Sequence, residues 1–170
     1  NLEDQLSSAK KCGHMGGKVL VPTSEMIEKL VAARLAADIM NVPLVIIART
    51  DSLAGALIRS DHDKVDQKFI TGERTTEGFF KTKAGMDQAV SRGLAYAPYC
   101  DLIWMETSLP DIGECKEFCT EIRKEHPNKM FAYNCSPSFN WKAKLSDADI
   151  RSFKDELGDL GVVYQFITLA

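Results

Sequence analysis

Four short apolar runs, separated by segments of helical period, constrain the architecture of this chain more than any other feature. The runs are Pro43–Thr50 (PLVIIART), Asp101–Thr107 (DLIWMET), Lys129–Ser136 (KMFAYNCS) and Val162–Leu169 (VVYQFITL). Continuous apolar stretches of this length are expected of strands buried on both faces, as in a parallel sheet covered by helices. The intervening segments supply the helices. Over Thr23–Met40 the residues Met26, Ile27, Leu30, Val31 and Leu35 recur at helical spacing and form an apolar stripe. Ala84–Tyr96 reads as a second helix. Pro110–His126 reads as a third, with Ser108 as its cap and Pro127 as its stop. Ser146–Gly158 opens on Ser146 and Asp149 at capping-box spacing. Strand and helix in alternation predict βα units on a parallel sheet.

The chain has 170 residues, 45% hydrophobic and 26% charged, which suffices for one domain with a real core. A net charge of −3 argues against a nucleic-acid partner, which ordinarily meets a basic surface. No apolar run approaches the roughly 20 residues of a membrane span. The five cysteines (Cys12, Cys100, Cys115, Cys119, Cys135) show no zinc-ligand spacing, so no metal site is assigned to this chain. Cys115 and Cys119 share a helix face and read as small buried thiols. An odd count without a signal peptide suggests a reducing compartment and a protein that is not secreted.

The polar residues fall in a pattern. Arg49 and Asp51 close the first apolar run, Glu106 the second, Asn134 and Ser136 the third, and Thr168 the fourth. In parallel α/β sheets and barrels the reactive groups stand at the carboxyl ends of strands. The intervals from 106 to 134 (28 residues) and from 134 to 168 (34 residues) suit a (β/α)8 barrel of about 250 residues. The fold expected is α/β: four to five βα units of a TIM-type catalytic domain. Residues 1–170 then form one partial barrel domain. The first residue is Asn1 and the chain ends within an apolar run, so truncation at both ends is expected. Residues 52–83 read as a polar insertion without clear periodicity, serving as a lid, an oligomer contact or a solvated loop.

Lys10-Lys11-Cys12-Gly13-His14-Met15 places a thiol between two lysines and a histidine, with Gly16 and Gly17 following. A thiol reacts as its thiolate, which nearby cations favour. Arg49 offers a planar fork suited to a carboxylate, although it could instead pair with Asp51 or Glu106 in a structural ion network. Asn134, Ser136, Ser138 and Thr168 offer neutral donors. Glu3 and Glu106 could orient a metal, a water or the arginine. These groups describe a small polyanionic substrate with proton transfer by a thiol. Trp104 and Trp141 read as packing groups.

Several of these segments together resemble the isocitrate lyase family. They are Glu3-Asp4-Gln5, Lys10–Met15 (KKCGHM), Ala48–Asp51, Phe69–Arg74, Trp104–Thr107, Asn134–Trp141 (NCSPSFNW) and Phe166–Ala170 (FITLA). The likeness covers essentially the whole chain. KCGH is shared with the methylisocitrate lyases, whereas NCSPSFNW followed by ITLA favours isocitrate lyase. The resemblance implies reversible retro-aldol cleavage of isocitrate to glyoxylate and succinate in the glyoxylate bypass, with Mg2+. It implies Cys12 as the catalytic acid/base and Gly13, His14 and Arg49 as substrate contacts. Asn134, Cys135, Ser136, Pro137, Ser138 and Thr168 would form the succinate-side pocket, with Glu3 and Glu106 as supporting carboxylates. The family's principal metal-binding aspartate is expected upstream of Glu3. A homotetramer is implied, in the cytoplasm or, in a eukaryote, a glyoxysome, peroxisome or mitochondrion. Two other readings stay open: a methylisocitrate lyase or related 2-hydroxy acid lyase, and a non-catalytic barrel segment.

Overall fold

The structure is a computed structural model that describes residues 1–168. Leu169 and Ala170, which end the FITLA motif and the fourth apolar run, lie outside the described residues. In chain order the elements are β1 (Leu2–Glu3), β2 (Val19–Leu20), α1 (Thr23–Met40), β3 (Ile47–Thr50), β4 (Leu57–Ile58), α2 (Lys64–Gln67), β5 (Ile70–Arg74), β6 (Phe80–Thr82), α3 (Met86–Tyr96), β7 (Leu102–Met105), α4 (Ile112–Glu125), β8 (Met130–Asn134), α5 (Trp141–Lys144), α6 (Asp147–Asp159) and β9 (Val162–Phe166). Among the described residues no helix is long and apolar enough to cross a membrane.

β1, β3, β7, β8 and β9 form, in that order, a sheet in which every pairing is parallel. Helices α1, α3, α4 and α6 return the chain between these strands, as parallel connections require. They also cover one face. Ala48, Ile103, Met105, Phe131, Tyr133 and Val162 point outward into a core with Met26 and Leu30 of α1, Ala89 and Tyr96 of α3, Phe118 and Ile122 of α4, and Phe153 and Leu157 of α6. Side chains alternate across a strand, so the residues between these point the other way. Leu102, Trp104 and Ala132 form a small inner cluster, flanked by Ile47 and Phe166.

The first apolar run is a strand only from Ile47. Asn41 caps α1 in the left-handed conformation (φ 52°), and Pro43–Val45 is an exposed connection. Asp101 then fixes the start of the strand by accepting from Ile46 N (2.7 Å) and Arg34 Nη2 (2.6 Å). α1 runs over the expected span, but its stripe is only half covered: Met26 and Leu30 are buried, whereas Val31 and Leu35 are exposed. The face laid on the sheet follows Thr23, Met26, Leu30 and Ala37. α4 is capped by Asp111, which accepts from Glu114 N at 3.0 Å, and not by Ser108. The Ser146–Asp149 capping box of α6 is present in both its bonds.

Residues 52–83 are folded rather than a plain loop. β4, β5 and β6 join β2 in a four-stranded mixed sheet, with β5 and β6 antiparallel. α2 and its cap residue Asp63 supply two carboxylates to the start of α1. Asp66 accepts from Thr23 N and Oγ1 (2.8 Å each), and Asp63 accepts from Ser24 N (2.7 Å). These satisfy donors that a helix start leaves open, where negative charge is favoured.

Candidate active site at the carboxyl ends of the strands

The inner face places four polar side chains side by side. Leu2 packs outward, so Glu3 at the end of β1 faces inward beside Arg49 of β3, its register partner. Arg49 is in turn the partner of Trp104 in β7. Glu106 and Asn134 share the inward parity of Trp104 and Ala132. The strand period thus delivers Glu3, Arg49, Glu106 and Asn134 to one end of one face.

Arg49 is engaged from one side. Its Nε and Nη2 donate to Asp51 Oδ2 (2.9 Å) and Oδ1 (3.0 Å). Glu3 Oε2 lies 3.3 Å from Nε and Glu106 Oε1 lies 3.7 Å from Nη2. The guanidinium carbon sits 4.4 Å from the centroid of the Trp104 ring, a cation–π contact. The fork that the sequence assigned to a substrate carboxylate is therefore occupied by Asp51 along Nε and Nη2, and the donors of Nη1 make no hydrogen bond to a described residue. Asp51 is fully buried and also accepts from Lys18 Nζ at 2.9 Å. Burial opposes its charge, yet Arg49 and Lys18 together hold its carboxyl below the usual range.

Glu106 behaves differently. Burial pushes its carboxyl up to about 6, against the pull of Arg49. His14 stands beside it, with Nε2 3.3 Å from Oε1. Burial, then Lys18 and Arg49, lower the imidazole pKa below its ordinary value, so the ring is neutral at neutral pH. Its Nδ1 is 2.9 Å from Ser138 Oγ, and its ring centre is 4.8 Å from that of Phe139. This bond joins the Cys12 loop to the Asn134–Ser138 turn. Within that turn Ser136 and Ser138 share a hydroxyl–hydroxyl bond of 2.8 Å, and Trp141 Nε1 donates to Ser136 O at 2.8 Å.

Gly13 explains the tight fit of the loop. It is buried, and a Cβ there would overlap Glu106 Oε1 and lie 2.7 Å from Arg49 Nη2. Cys12 precedes it and is exposed, its carbonyl accepting from Met15 N at 2.9 Å. The cationic neighbourhood expected for this thiol is altered. Lys10 is paired with Glu3, and His14 is held neutral.

The structure brings together Glu3, Gly13, His14, Arg49, Glu106, Asn134, Ser136 and Ser138, with Cys12 at the rim. It does not bring in the side chains of Cys135 and Pro137. These line an apolar cavity of about 580 Å³ with Trp141, Phe153 and Ile167. Thr168 is half-buried beyond β9 and makes no hydrogen bond to another described residue. Two groups were missed by sequence reasoning. Lys18 is fully buried, and its one signal is its place directly before the apolar Val19-Leu20-Val21. Asp4 accepts from Thr50 Oγ1 and Asp51 N (2.8 Å each) and so fixes the end of β3 from the outer side.

Four buried atoms of this face have no hydrogen-bond partner among the described residues: Glu106 Oε2, His14 Nε2, Asn134 Oδ1 and Trp104 Nε1. Buried polar atoms are rarely left open, and four at one place suit a polar ligand that bonds them. A metal fits less well. Among the described residues no three His, Cys, Asp or Glu side chains converge to hold an ion. Glu3 is already shared between Lys10 and Arg49.

The sequence matches the isocitrate lyase family over residues 1–75 and 72–170. Isocitrate lyases of Salmonella typhimurium and Escherichia coli K12 are 63% and 62% identical to it over all 170 residues. Isocitrate lyase 1 of Mycobacterium tuberculosis is 58% identical over 168. The chain spans 39% of the length of each of these curated relatives. Two solved structures share the fold. One is oxaloacetate acetylhydrolase in complex with 3,3-difluorooxalacetate (TM-score 0.67, 18% identity, 99% of this chain and 43% of that one). The other is 2,3-dimethylmalate lyase, a member of the PEP mutase/isocitrate lyase superfamily (TM-score 0.59, 22% identity, 98% and 41%).

Proposed function

This chain belongs to the isocitrate lyase family, and on that premise we propose that it forms part of an enzyme that cleaves isocitrate to glyoxylate and succinate in the glyoxylate bypass. The observation that carries this reading is the inner-face cluster of Arg49, Glu106, His14 and Ser138, drawn from distant parts of a chain about 60% identical to named isocitrate lyases.

The chemistry follows from the substrate. Cleavage breaks the C2–C3 bond of isocitrate, takes the proton from the C2 hydroxyl and leaves the electron pair on C3 of the succinate half. That charge spreads into the adjacent carboxylate, where fixed donors stabilise it as it develops. The free Nη1 donors of Arg49 and the hydroxyls of Ser136 and Ser138 are the groups suited to that task. Glu106, with its carboxyl pushed up to about 6, is suited to take the hydroxyl proton near neutral pH. Cys12 supplies a proton to C3, and its thiolate is reprotonated after product release. In the reverse direction the thiolate removes that proton from succinate. A divalent cation, Mg2+ by family resemblance, would polarise the glyoxylate carbonyl. Among the described residues no full donor set for it is present.

Side-by-side kinetics of the whole-length enzyme on isocitrate and 2-methylisocitrate test the assignment. Glyoxylate release from isocitrate is expected to exceed pyruvate release from the methylated acid by ~10–200-fold in kcat/KM, the range one methyl group commands. A preference for 2-methylisocitrate overturns it.

A further inference from the structure

The loop that carries Cys12 is pinned at both ends, and between them it rests on the site through Gly13 and His14. At its start Lys10 pairs with Glu3, and Lys11 N donates to Gln5 Oε1 at 3.0 Å. At its end the buried Lys18 Nζ donates to Asp51 Oδ1 at 2.9 Å. In between, Gly16 and Gly17 have nothing within 4 Å of where a Cβ would stand, and Gly17 has φ +76°. Lys18 and Asp51 are both fully buried. An ammonium removed from water is tolerated only while it keeps its partner, so Lys18 must follow Asp51. The same Asp51 carboxylate holds Arg49 through Nε and Nη2.

From this arrangement we propose that Lys18 and Asp51 are positioning residues that couple the occupancy of Arg49 to the placement of the Cys12 loop. The inference rests on the lyase reading above. An anion that binds the free Nη1 edge of Arg49 adjusts the guanidinium, Asp51 adjusts with it, and Lys18 carries the change to the end of the Cys12 loop. Binding at one site thereby sets the geometry at the other, and the coupling is reciprocal. Neither residue touches the reacting atoms.

The experiment compares whole-length wild type with Lys18→Met and Lys18→Arg. It measures kcat and KM for isocitrate, and the rate at which iodoacetamide alkylates Cys12, read by mass spectrometry with and without succinate. In the wild type succinate is expected to slow Cys12 alkylation. In Lys18→Met that ratio should fall to ~1, with kcat down ~10-fold or more and KM changed far less, as misplaced catalytic groups behave. Lys18→Arg, which keeps the charge, should recover part of both. If Lys18→Met does not fold, Lys18→Gln, which fills the site but offers Asp51 no charge, is read for the same loss. A folded Lys18→Met or Lys18→Gln with wild-type kcat and undiminished succinate protection overturns the coupling alone. So does a variant that loses stability while its folded fraction keeps wild-type protection. A wild type that releases no glyoxylate overturns the lyase reading, and this inference with it.

Discussion

Arg92, fully buried, and Arg49, half-buried, both stand among carboxylates on opposite faces of the same sheet, and they differ in how fully they are bonded. Arg92 in α3 donates Nε to Asp66 (3.1 Å), Nη1 to Asp4 (3.0 Å) and Tyr96 Oη (3.1 Å), and Nη2 to Val21 O (2.9 Å). Tyr96 Oη in turn donates to Asp4 at 3.0 Å. Every nitrogen of that guanidinium has a partner. Among the described residues Arg49 Nη1 has no partner, and around it neither do Glu106 Oε2, Asn134 Oδ1, His14 Nε2 and Trp104 Nε1. Closed networks of this kind hold a fold together, because each buried charge is matched and each donor used. An open one at the carboxyl end of a parallel sheet is what a ligand site requires. The two are joined back to back through Asp4, which bonds Thr50 and Asp51 N on one side and Arg92 on the other.

The largest effect expected from this contrast is on the closed side. Arg92→Met leaves Asp4 and Asp66 as unpaired buried carboxylates and should lower the unfolding free energy of the whole-length protein by ~3–5 kcal/mol in urea titrations. A loss below ~1 kcal/mol would erase the distinction between the two networks. On the open side, Gly13→Ala forces a Cβ into Glu106 and Arg49. The loop must lift, and a displacement of this size is expected to cost ~10²-fold in kcat/KM for isocitrate. Steady-state kinetics of the variant check it.

The third effect is a pH dependence. Glu106 titrates at about 6 in the fold against an ordinary value of 4.5. Between these values the folded state holds the proton that the unfolded chain has released, so this group's contribution is complete below pH 4.5 and is lost as pH rises through 6. The loss is about 2 kcal/mol from this shift. Glu106→Gln does not titrate. Its stability relative to wild type should therefore rise by about that amount between pH 4 and 7, and a flat difference would contradict the open, desolvated character of this site. The smallest effect is far from both networks. Ser146→Ala removes the α6 capping box and should cost ~1 kcal/mol with unchanged kinetics.

Much of this was legible in the sequence, for identifiable reasons. The span of α1, the four strand segments and the α6 cap are local, set by period and end chemistry. Arg49, Glu106 and Asn134 announced themselves because each ends an apolar run. What escaped were pairings that no local pattern carries. Lys18 reads as a solvated loop lysine until Asp51, 33 positions away, appears beside it. Arg92 meets Asp4 from 88 positions away. The 52–83 segment looked featureless because its strands are short and its order derives from contacts with β2 and with the start of α1. The Cys12 surroundings were misjudged in kind. Lys10 is claimed by Glu3, and His14 by a contact with Glu106 and Ser138.

The central claim is that the open cluster binds a polyanion for a proton transfer made by Cys12. Glyoxylate release by the whole-length Cys12→Ser variant tests it most directly. A hydroxyl is a far weaker acid than a thiol, so kcat is expected to fall by at least ~10²-fold, with KM for isocitrate little changed. Turnover near that of the wild type would contradict it.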